Sequence, residues 1–221
     1  MERGSFVLHG LFPEDVATAW GDPLDPATPL FPEEEALVAN AIPKRKREFA
    51  KGRECARVAM AKLGLRDVVL LSGSDREPLW PREITGSITH TNGLCAVAVG
   101  ATDRYQGLGI DAEPAEALSP AIAARVLGGD DPRVLELGAR SLEPPVVPRL
   151  VFSAKEAVYK CLFPITKTFL GFADVALELE KTTFRATLRV SAPPFSPGAS
   201  LVGRWQKSGG FLVTALWLPR P

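Results

Sequence analysis

The sequence lacks the features that mark membrane proteins and strongly basic proteins. No run of residues approaches the roughly 20 consecutive apolar residues that a membrane-spanning helix needs. The chain carries 26 basic and 26 acidic side chains, so its formal net charge is zero. No overall field therefore draws it toward nucleic acid or an anionic membrane, and any anion-binding site must be local. We expect neither nucleic acid nor a membrane among its partners.

Cysteine is also scarce. The three cysteines, Cys55, Cys95 and Cys161, lie far apart and form no C-x-x-C metal motif, and their odd number gives no complete disulfide framework. The N-terminal stretch MERGSFVLHGLFPED has acids close behind a short apolar run, unlike the basic-then-apolar order of a signal peptide. A reduced, cytoplasmic protein with buried thiols is the simplest interpretation.

What is present indicates a folded α+β protein. The chain has 221 residues, 46% of them apolar, which is enough for one large domain or two closely packed smaller ones. Asn92-Gly93, between ITGSITHT and LCAVAVG, is a strong hairpin signal. Helices are predicted over residues 32–39, from Pro43 to about Leu63, and over 153–162. Further strands are predicted at 67–71, 107–113, 175–180, 184–190 and 209–218, with a loop over 191–200.

The order of these elements favours one fold class. Most of the strands follow one another in hairpin order, which is typical of an α+β fold and not of a doubly wound parallel sheet. Each half of the chain has a prominent helix and several strands. A duplicated plan fits this order, with a hinge near residues 100–106, although the sequence shows no convincing internal repeat.

Two acidic residues stand on one predicted strand in GLGIDAE. Side chains alternate along a strand, so Asp111 and Glu113 share one face. Neighbouring carboxylates repel unless a cation lies between them, and hard oxygen ligands of this kind suit Mg²⁺. The alternative is an acidic strand end that faces solvent, and the D-x-E pattern alone does not decide between the two.

The segment FSAKEAVYK has a structural and a functional interpretation. Ser153 and Glu156 match the S-x-x-E capping box at a helix start, and Glu156 and Lys160 have the spacing of a surface ion pair. The functional interpretation places Glu156 beside Asp111 and Glu113 as a third carboxylate. Lys160, one turn further along the same face, would then meet a phosphate.

The basic stretch IPKRKREFAKGRECAR contains Arg45, Phe49, Arg53 and Arg57 at steps of four along one side of a predicted helix. Such a face is often simply solvated, but guanidinium groups also match phosphate oxygens in pairs. In GSITHTNG, Thr89 and His90 lie just before the predicted turn, where a hydroxyl and backbone N–H groups resemble an anion cradle. A structural histidine is the alternative.

In chain order the motifs are KRxxEFxxGRxCAR, REPxWPxxxxGSxTHT, GIDxE and FSxKEAxYK, spanning about residues 42–165. Together they closely resemble those of the 4′-phosphopantetheinyl transferases of the surfactin and enterobactin type. The resemblance implies transfer of the phosphopantetheine arm of coenzyme A to a serine of an acyl or peptidyl carrier protein, with adenosine 3′,5′-bisphosphate as the second product. It also implies a monomer built as a pseudo-twofold pair of similar α/β subdomains, 1–104 and 105–221. Each would have a long helix on a mainly antiparallel sheet, with the active site in the cleft between them.

The resemblance also implies roles for individual residues. Asp111, Glu113 and Glu156 would bind Mg²⁺, with Mn²⁺ as an alternative metal, and Glu156 would take the proton of the carrier serine. Lys160 would contact the pyrophosphate, and Asp111, Glu156 and Lys160 form the expected catalytic set. The remaining coenzyme A contacts are expected to be basic or hydrogen-bonding side chains: Arg45, Arg53, Arg57, Arg76, Thr89, His90 and Lys155.

Two other functions stay open at this point. A non-catalytic module of the same fold would hold coenzyme A or a carrier protein without turnover, although pure binding does not require three carboxylates. A nucleic-acid site at KRKR is the other, which the zero net charge and the absence of interleaved aromatic residues disfavour.

Overall fold

The computed structural model describes residues 8–128, 134, 138 and 141–220. Its first part is a three-stranded antiparallel sheet in the order β1-β3-β2, with a long helix packed against it. The strands of this N-terminal sheet are β1 (Ala17–Gly21), β2 (Ile84–Thr91) and β3 (Leu94–Ala101). Its helices are α1 (Pro32–Leu37) and α2 (Pro43–Lys62).

The second part is a five-stranded antiparallel sheet in the order β4-β8-β7-β6-β5. The strands of this C-terminal sheet are β4 (Tyr105–Pro114), β5 (Val175–Leu179), β6 (Thr183–Leu188), β7 (Ser200–Ser208) and β8 (Phe211–Pro219). Its helices are α3 (Pro120–Leu127) and α4 (Val147–Thr166), with short 3-10 turns at Pro144–Val146 and Phe172–Asp174. Mixed helices and antiparallel sheets confirm the α+β prediction.

The alternating residues of β3 explain how the two sheets pack. Cys95, Val97 and Val99 point into a core shared with α2. Leu94, Ala96 and Ala98 point the other way, into a second core shared with β4 and β8. A strand buried on both faces is apolar throughout, as LCAVAVG is. A third core lies between α4 and the C-terminal sheet.

The edge strands of the two sheets meet through hydroxyl groups. The backbone N–H groups of Ile110 and Ala112 on β4 donate to Ser87 Oγ and Thr89 Oγ1 on β2, at 3.1 and 3.2 Å. The hydroxyls of Ser87 and Thr89, at alternate positions of β2, thus accept the hydrogen bonds that the backbone carbonyls of a neighbouring strand would accept from β4. They satisfy donors that a buried sheet edge would otherwise leave unpaired.

Glycine lets the helix that follows approach β4 closely. A Cβ atom built on Gly109 would lie 1.9 Å from the backbone carbonyl oxygen of Ala157 in α4. Only glycine fits a strand position at which a helix backbone comes this near. Because of this contact, the strand that carries Asp111 lies directly against the helix turn that carries Glu156 and Lys160.

Several sequence predictions need correction. Residues 67–71 form no strand, because the N–H of the buried Leu70 donates to Glu34 and its C=O accepts from Arg53, so side chains replace a neighbouring strand. Helix α4 begins at Val147 instead of residue 153, with Pro148 in its first turn. Ser153 therefore lies within the helix and is no N-cap. Strands β1 and β7 were not predicted. Within the part of the chain described, no helix is both long and apolar enough to cross a membrane.

Candidate active site

The buried carboxylate of Asp111 lies where the two sheets meet. Its side chain is 6% exposed. Oδ1 accepts hydrogen bonds from Thr89 Oγ1 at 3.0 Å and from Lys160 Nζ at 2.6 Å. Oδ2 is also buried, but no described group donates to it. A buried carboxylate oxygen without a partner is costly, so its presence indicates a ligand that the protein itself does not supply.

Thr89 connects this carboxylate to the rest of the fold. It is 2% exposed, and its hydroxyl donates to Asp111 while accepting from the N–H of Ala112 and, at 3.3 Å, from Lys160 Nζ. The donor and both acceptor positions of a hydroxyl are thereby occupied. The hydroxyl therefore orients Asp111 and Lys160, and no further position is left for a direct phosphate contact.

Glu113, two residues along β4, has a partner that the sequence analysis missed. Arg149 Nη1 donates to Glu113 Oε2 at 2.7 Å. Burial raises the pKa of Glu113, and the charge of Asp111 raises it further, while Arg149 opposes both effects. The two residues are 36 positions apart and belong to no shared motif. No signal in the sequence alone connects them.

Glu156 lies on the same face of α4 as Lys160, one turn before it. It is half-buried, and burial raises the pKa of its carboxyl. The charge of Asp111 is the second cause and also raises the pKa, whereas Lys160 lowers it. The structure pairs Lys160 with Asp111, so the spacing of Glu156 and Lys160 serves a shared site and not a surface ion pair.

The three acids offer only oxygen ligands to a divalent cation. Among the described residues, no group of three or more His, Cys, Asp or Glu side chains is placed so that it could hold a metal ion as the side chains now lie. The donor chemistry nevertheless fits, because Asp111 Oδ2 is an unpartnered buried oxygen and both glutamates respond to the charge of Asp111. Carboxylate oxygens are the ligands that Mg²⁺ and Mn²⁺ prefer.

A cluster of basic side chains lines the neighbouring pocket. Arg45 Nη1 donates to His90 Nε2 at 2.7 Å, and His90 Nδ1 lies 3.6 Å from Glu48 Oε2. This arrangement fits a neutral imidazole whose proton is on Nδ1. Partial burial lowers the pKa of His90, and Arg45 lowers it further against the opposing effect of Glu48. Arg45 and His90 thus lie together in one pocket, and their contact with coenzyme A stays a prediction.

Arg53 belongs to the same pocket but is already engaged. It is buried, donates to Leu70 O at 2.7 Å and Ser72 Oγ at 2.9 Å, and stacks on the Phe49 ring at 4.1 Å. Burial lowers its pKa to about 10, so the guanidinium stays charged at neutral pH. The charge therefore contributes to the potential of the pocket.

Two adjoining cavities connect this basic cluster to Lys160. The first, of about 130 Å³, is lined by Arg45, Arg53 and His90. The second, of about 180 Å³, is lined by Trp80, Tyr159 and Lys160. They share Arg76, Pro78 and Ile88. Arg76 is held in a turn with φ of 66°, and its side chain lines both cavities.

Two residues expected at the site are engaged elsewhere. Arg57 donates to both carboxylate oxygens of the fully buried Glu34, at 3.1 and 2.9 Å. Lys155 is 3% exposed and donates to the carbonyl oxygens of Val126 and Phe172. Neither lines the two cavities. Their contacts account for both as structural residues, and a direct phosphate contact finds no support in this geometry.

Larger grooves exist away from this cluster. One of about 940 Å³ lies beside Trp20 and Val58, and one of about 950 Å³ lies along the proline-rich segment 23–32. Neither includes a carboxylate or basic residue of the site described above. The two small cavities include the basic cluster and Lys160, which the large grooves do not, although Asp111, Glu113 and Glu156 line neither small cavity.

Comparison with known proteins decides the family. Residues 33–100 match the model of the 4′-phosphopantetheinyl transferase N-terminal domain, and residues 107–199 match that of the 4′-phosphopantetheinyl transferase superfamily. The chain belongs to the 4′-phosphopantetheinyl transferase superfamily. This superfamily takes coenzyme A as a substrate, typically with a divalent metal, and acts on carrier proteins.

Individual relatives agree over most of the chain. The 4′-phosphopantetheinyl transferase Svp of Streptomyces mobaraensis is 42% identical over 90% of this chain and 82% of the relative. PptT of Mycobacterium tuberculosis is 36% identical over 96% of both chains. Enterobactin synthase component D of Salmonella typhi is 37% identical over 77% of this chain and 71% of that protein. The first two are named as transferases, which supports catalysis over a non-catalytic binding module.

Proposed function

We propose that this member of the superfamily transfers the 4′-phosphopantetheine group of coenzyme A to a serine hydroxyl of an acyl or peptidyl carrier protein, with Mg²⁺ as the metal. A bond forms between the serine oxygen and the β-phosphorus. The bond from that phosphorus to the bridging oxygen breaks, and adenosine 3′,5′-bisphosphate leaves. The observation that carries the proposal is the unpartnered, buried Oδ2 of Asp111, beside Lys160 and next to two glutamates with raised pKa.

The carboxylates of Asp111, Glu113 and Glu156 would hold the metal. When bound, Mg²⁺ supplies positive charge against the pyrophosphate oxygens. Thr89 and Lys160 fix Asp111 through Oδ1, which leaves Oδ2 for a ligand. Mn²⁺ would suit the same oxygen ligands.

Glu156 is the proposed general base. A base works best when its pKa approaches the working pH, and both burial and the charge of Asp111 move the pKa of Glu156 in that direction. Its carboxylate would accept the serine proton. Lys160 is one helical turn away, and its ammonium group would stabilise the phosphate charge that develops on the leaving side.

The pocket of Arg45, Arg53, Arg76 and His90 is the proposed site for the phosphates of coenzyme A. Guanidinium groups match phosphate oxygens, and the pocket carries three of them. The segment from Ser72 to Trp80 borders the two cavities and would lie against the adenine. Thr89 would contribute to this site through the orientation of Lys160.

We also propose two subdomains, 1–104 and 105–221, and the division of the described strands between the two sheets supports this boundary. Thr89 comes from the first part, whereas Asp111 and Lys160 come from the second. We propose that the protein is a monomer in which both subdomains contribute side chains to one site. We further propose that the protein works in the cytoplasm.

Intact-mass spectrometry of an apo carrier protein tests the proposal. The carrier is incubated with this protein and coenzyme A, once with Mg²⁺ and once with a chelator. Gain of the mass of one phosphopantetheine group, only with the metal, is the expected result. Coenzyme A binding without any mass gain on acyl and peptidyl carriers would favour the non-catalytic module instead.

A further inference from the structure

Arg149 makes three contacts to the segment that follows Asp111. Nη1 donates to Glu113 Oε2 at 2.7 Å, Nε donates to Glu116 O at 3.2 Å, and Nη2 donates to Ala117 O at 3.3 Å. A single guanidinium thereby holds one side chain and two backbone carbonyls of the same turn. Such a planar group with several fixed donors restricts its acceptors more than an ammonium group does.

The contact with Glu113 leaves part of its carboxylate available. Arg149 takes Oε2, and no described residue donates to Oε1. Asp111 shows the same division, because Oδ1 has two protein donors and Oδ2 has none among the described groups. Each of the two β4 carboxylates therefore has one oxygen that accepts a hydrogen bond from the protein and one oxygen to which no described group donates.

Arg149 and Glu156 also belong to one helix. They are seven positions apart in α4, so they project from the same side two turns from one another. Helix α4 thus supplies Glu156 to the site and, through Arg149, also holds Glu113 of β4 in place. The ion pair is mostly shielded from water, with 20% of the Arg149 side chain and 17% of the Glu113 side chain exposed.

We infer that Arg149 is a positioning residue for the transfer reaction, which holds Glu113 through Oε2 so that its second carboxylate oxygen would be available to a metal ion. This rests on the proposed function, because it requires Glu113 to be a metal ligand. Residues that orient metal ligands typically contribute 10–100-fold to metal affinity or activity. The alternative is a purely structural clamp on residues 113–117.

Two variants of Arg149 separate these roles. Arg149→Met removes all three donations, whereas Arg149→Lys keeps one cation near Glu113. Arg185→Met is the matched control, because Arg185 is an exposed arginine on β6. Its Nη1 donates to Ser200 Oγ at 3.4 Å, far from the acids of the site in the sheet order. Thermal unfolding of each variant shows how much folded protein enters the assays.

The metal itself supplies the first decisive measurement. Mn²⁺ affinity, measured by electron paramagnetic resonance in the presence of coenzyme A, is expected to fall about 10–100-fold in Arg149→Met. Arg149→Lys is expected to recover part of that loss, and Arg185→Met to match the unchanged protein. Excess metal should restore much of the transfer rate of Arg149→Met. Unchanged Mn²⁺ affinity in a folded Arg149→Met protein would overturn the inference.

A double-mutant cycle that combines Arg149→Met with Glu113→Gln supplies the second decisive measurement. If Arg149 acts through Glu113, adding Arg149→Met to Glu113→Gln lowers kcat/KM by no more than about threefold further. A full 10–100-fold further loss would show that the arginine acts independently of Glu113, which also overturns the inference. Failure of the unchanged protein to modify any carrier would instead refute the proposed function.

Discussion

Replacing Thr89 by valine removes one hydroxyl without changing the size of the side chain much. The hydroxyl donates to Asp111 Oδ1 and accepts from Ala112 N–H and Lys160 Nζ. After the change, the N–H of Ala112 has no acceptor at this sheet edge. Asp111 loses one of its two donors. Lys160 keeps its ion pair with Asp111, and its side chain is partly open to water. Of the three groups, Lys160 therefore loses the least interaction energy.

The cost of Thr89→Val follows from these contacts. The N–H of Ala112, left without an acceptor, costs roughly 1–3 kcal/mol, and Asp111, which keeps Lys160 as a donor, adds about 1 kcal/mol, so the free energy of unfolding should fall by about 2–4 kcal/mol. Thr89→Ser keeps the hydroxyl and removes only a methyl group, which costs about 1 kcal/mol. Urea unfolding at equilibrium, followed by tryptophan fluorescence, measures both values under identical conditions.

The comparison between the two variants carries the test. Thr89→Val is expected to be less stable than Thr89→Ser by about 1–3 kcal/mol, even though valine keeps the methyl group that serine lacks. Equal stability, or a more stable valine variant, would refute the idea that this hydroxyl joins the two sheets.

Three further predictions concern packing, charge and metal. Gly109→Ala places a Cβ against the Ala157 carbonyl oxygen, so we expect a loss of at least about 3 kcal/mol in unfolding free energy, and an unchanged melting temperature would show that strand and helix are not so close. Arg57→Met leaves the buried Glu34 without its cation and should cost about 3–5 kcal/mol, whereas the KM for coenzyme A of the folded fraction should stay the same; a raised KM would instead support the phosphate contact expected from the sequence. Chelation of divalent metal should stop carrier modification and added Mg²⁺ should restore it, and full activity in chelator would contradict metal dependence.

Local signals predicted much of the fold. Pro43 and Gly64 bracket α2 almost as predicted, and Asn92-Gly93 forms the turn between β2 and β3. The prediction was wrong at residues 67–71, where the long-range contacts of Leu70 with Glu34 and Arg53 replace a sheet partner. No local pattern contains that information.

The site was predictable in part. Lys160 was expected to contact a phosphate, and its ion pair with Asp111, with Nζ 2.6 Å from Oδ1, was not predicted. The arginines of α2 share one helical spacing, yet Arg45 faces the pocket whereas Arg57 contacts a buried acid. Spacing identifies a helix face, but tertiary packing decides which end of that face meets the cavity. Arg149 was missed because its partner lies on another element.

The most direct test of the proposed active site compares Glu156→Gln with Glu178→Gln in single-turnover transfer to an apo carrier protein. Glu156 is half-buried beside Lys160, whereas Glu178 is exposed on β5, and each change removes one negative charge. We predict that Glu156→Gln binds coenzyme A but transfers at least about 100-fold more slowly, and that Glu178→Gln transfers at the original rate. Transfer by folded Glu156→Gln at the original rate would contradict the assignment of Glu156 as base and metal ligand.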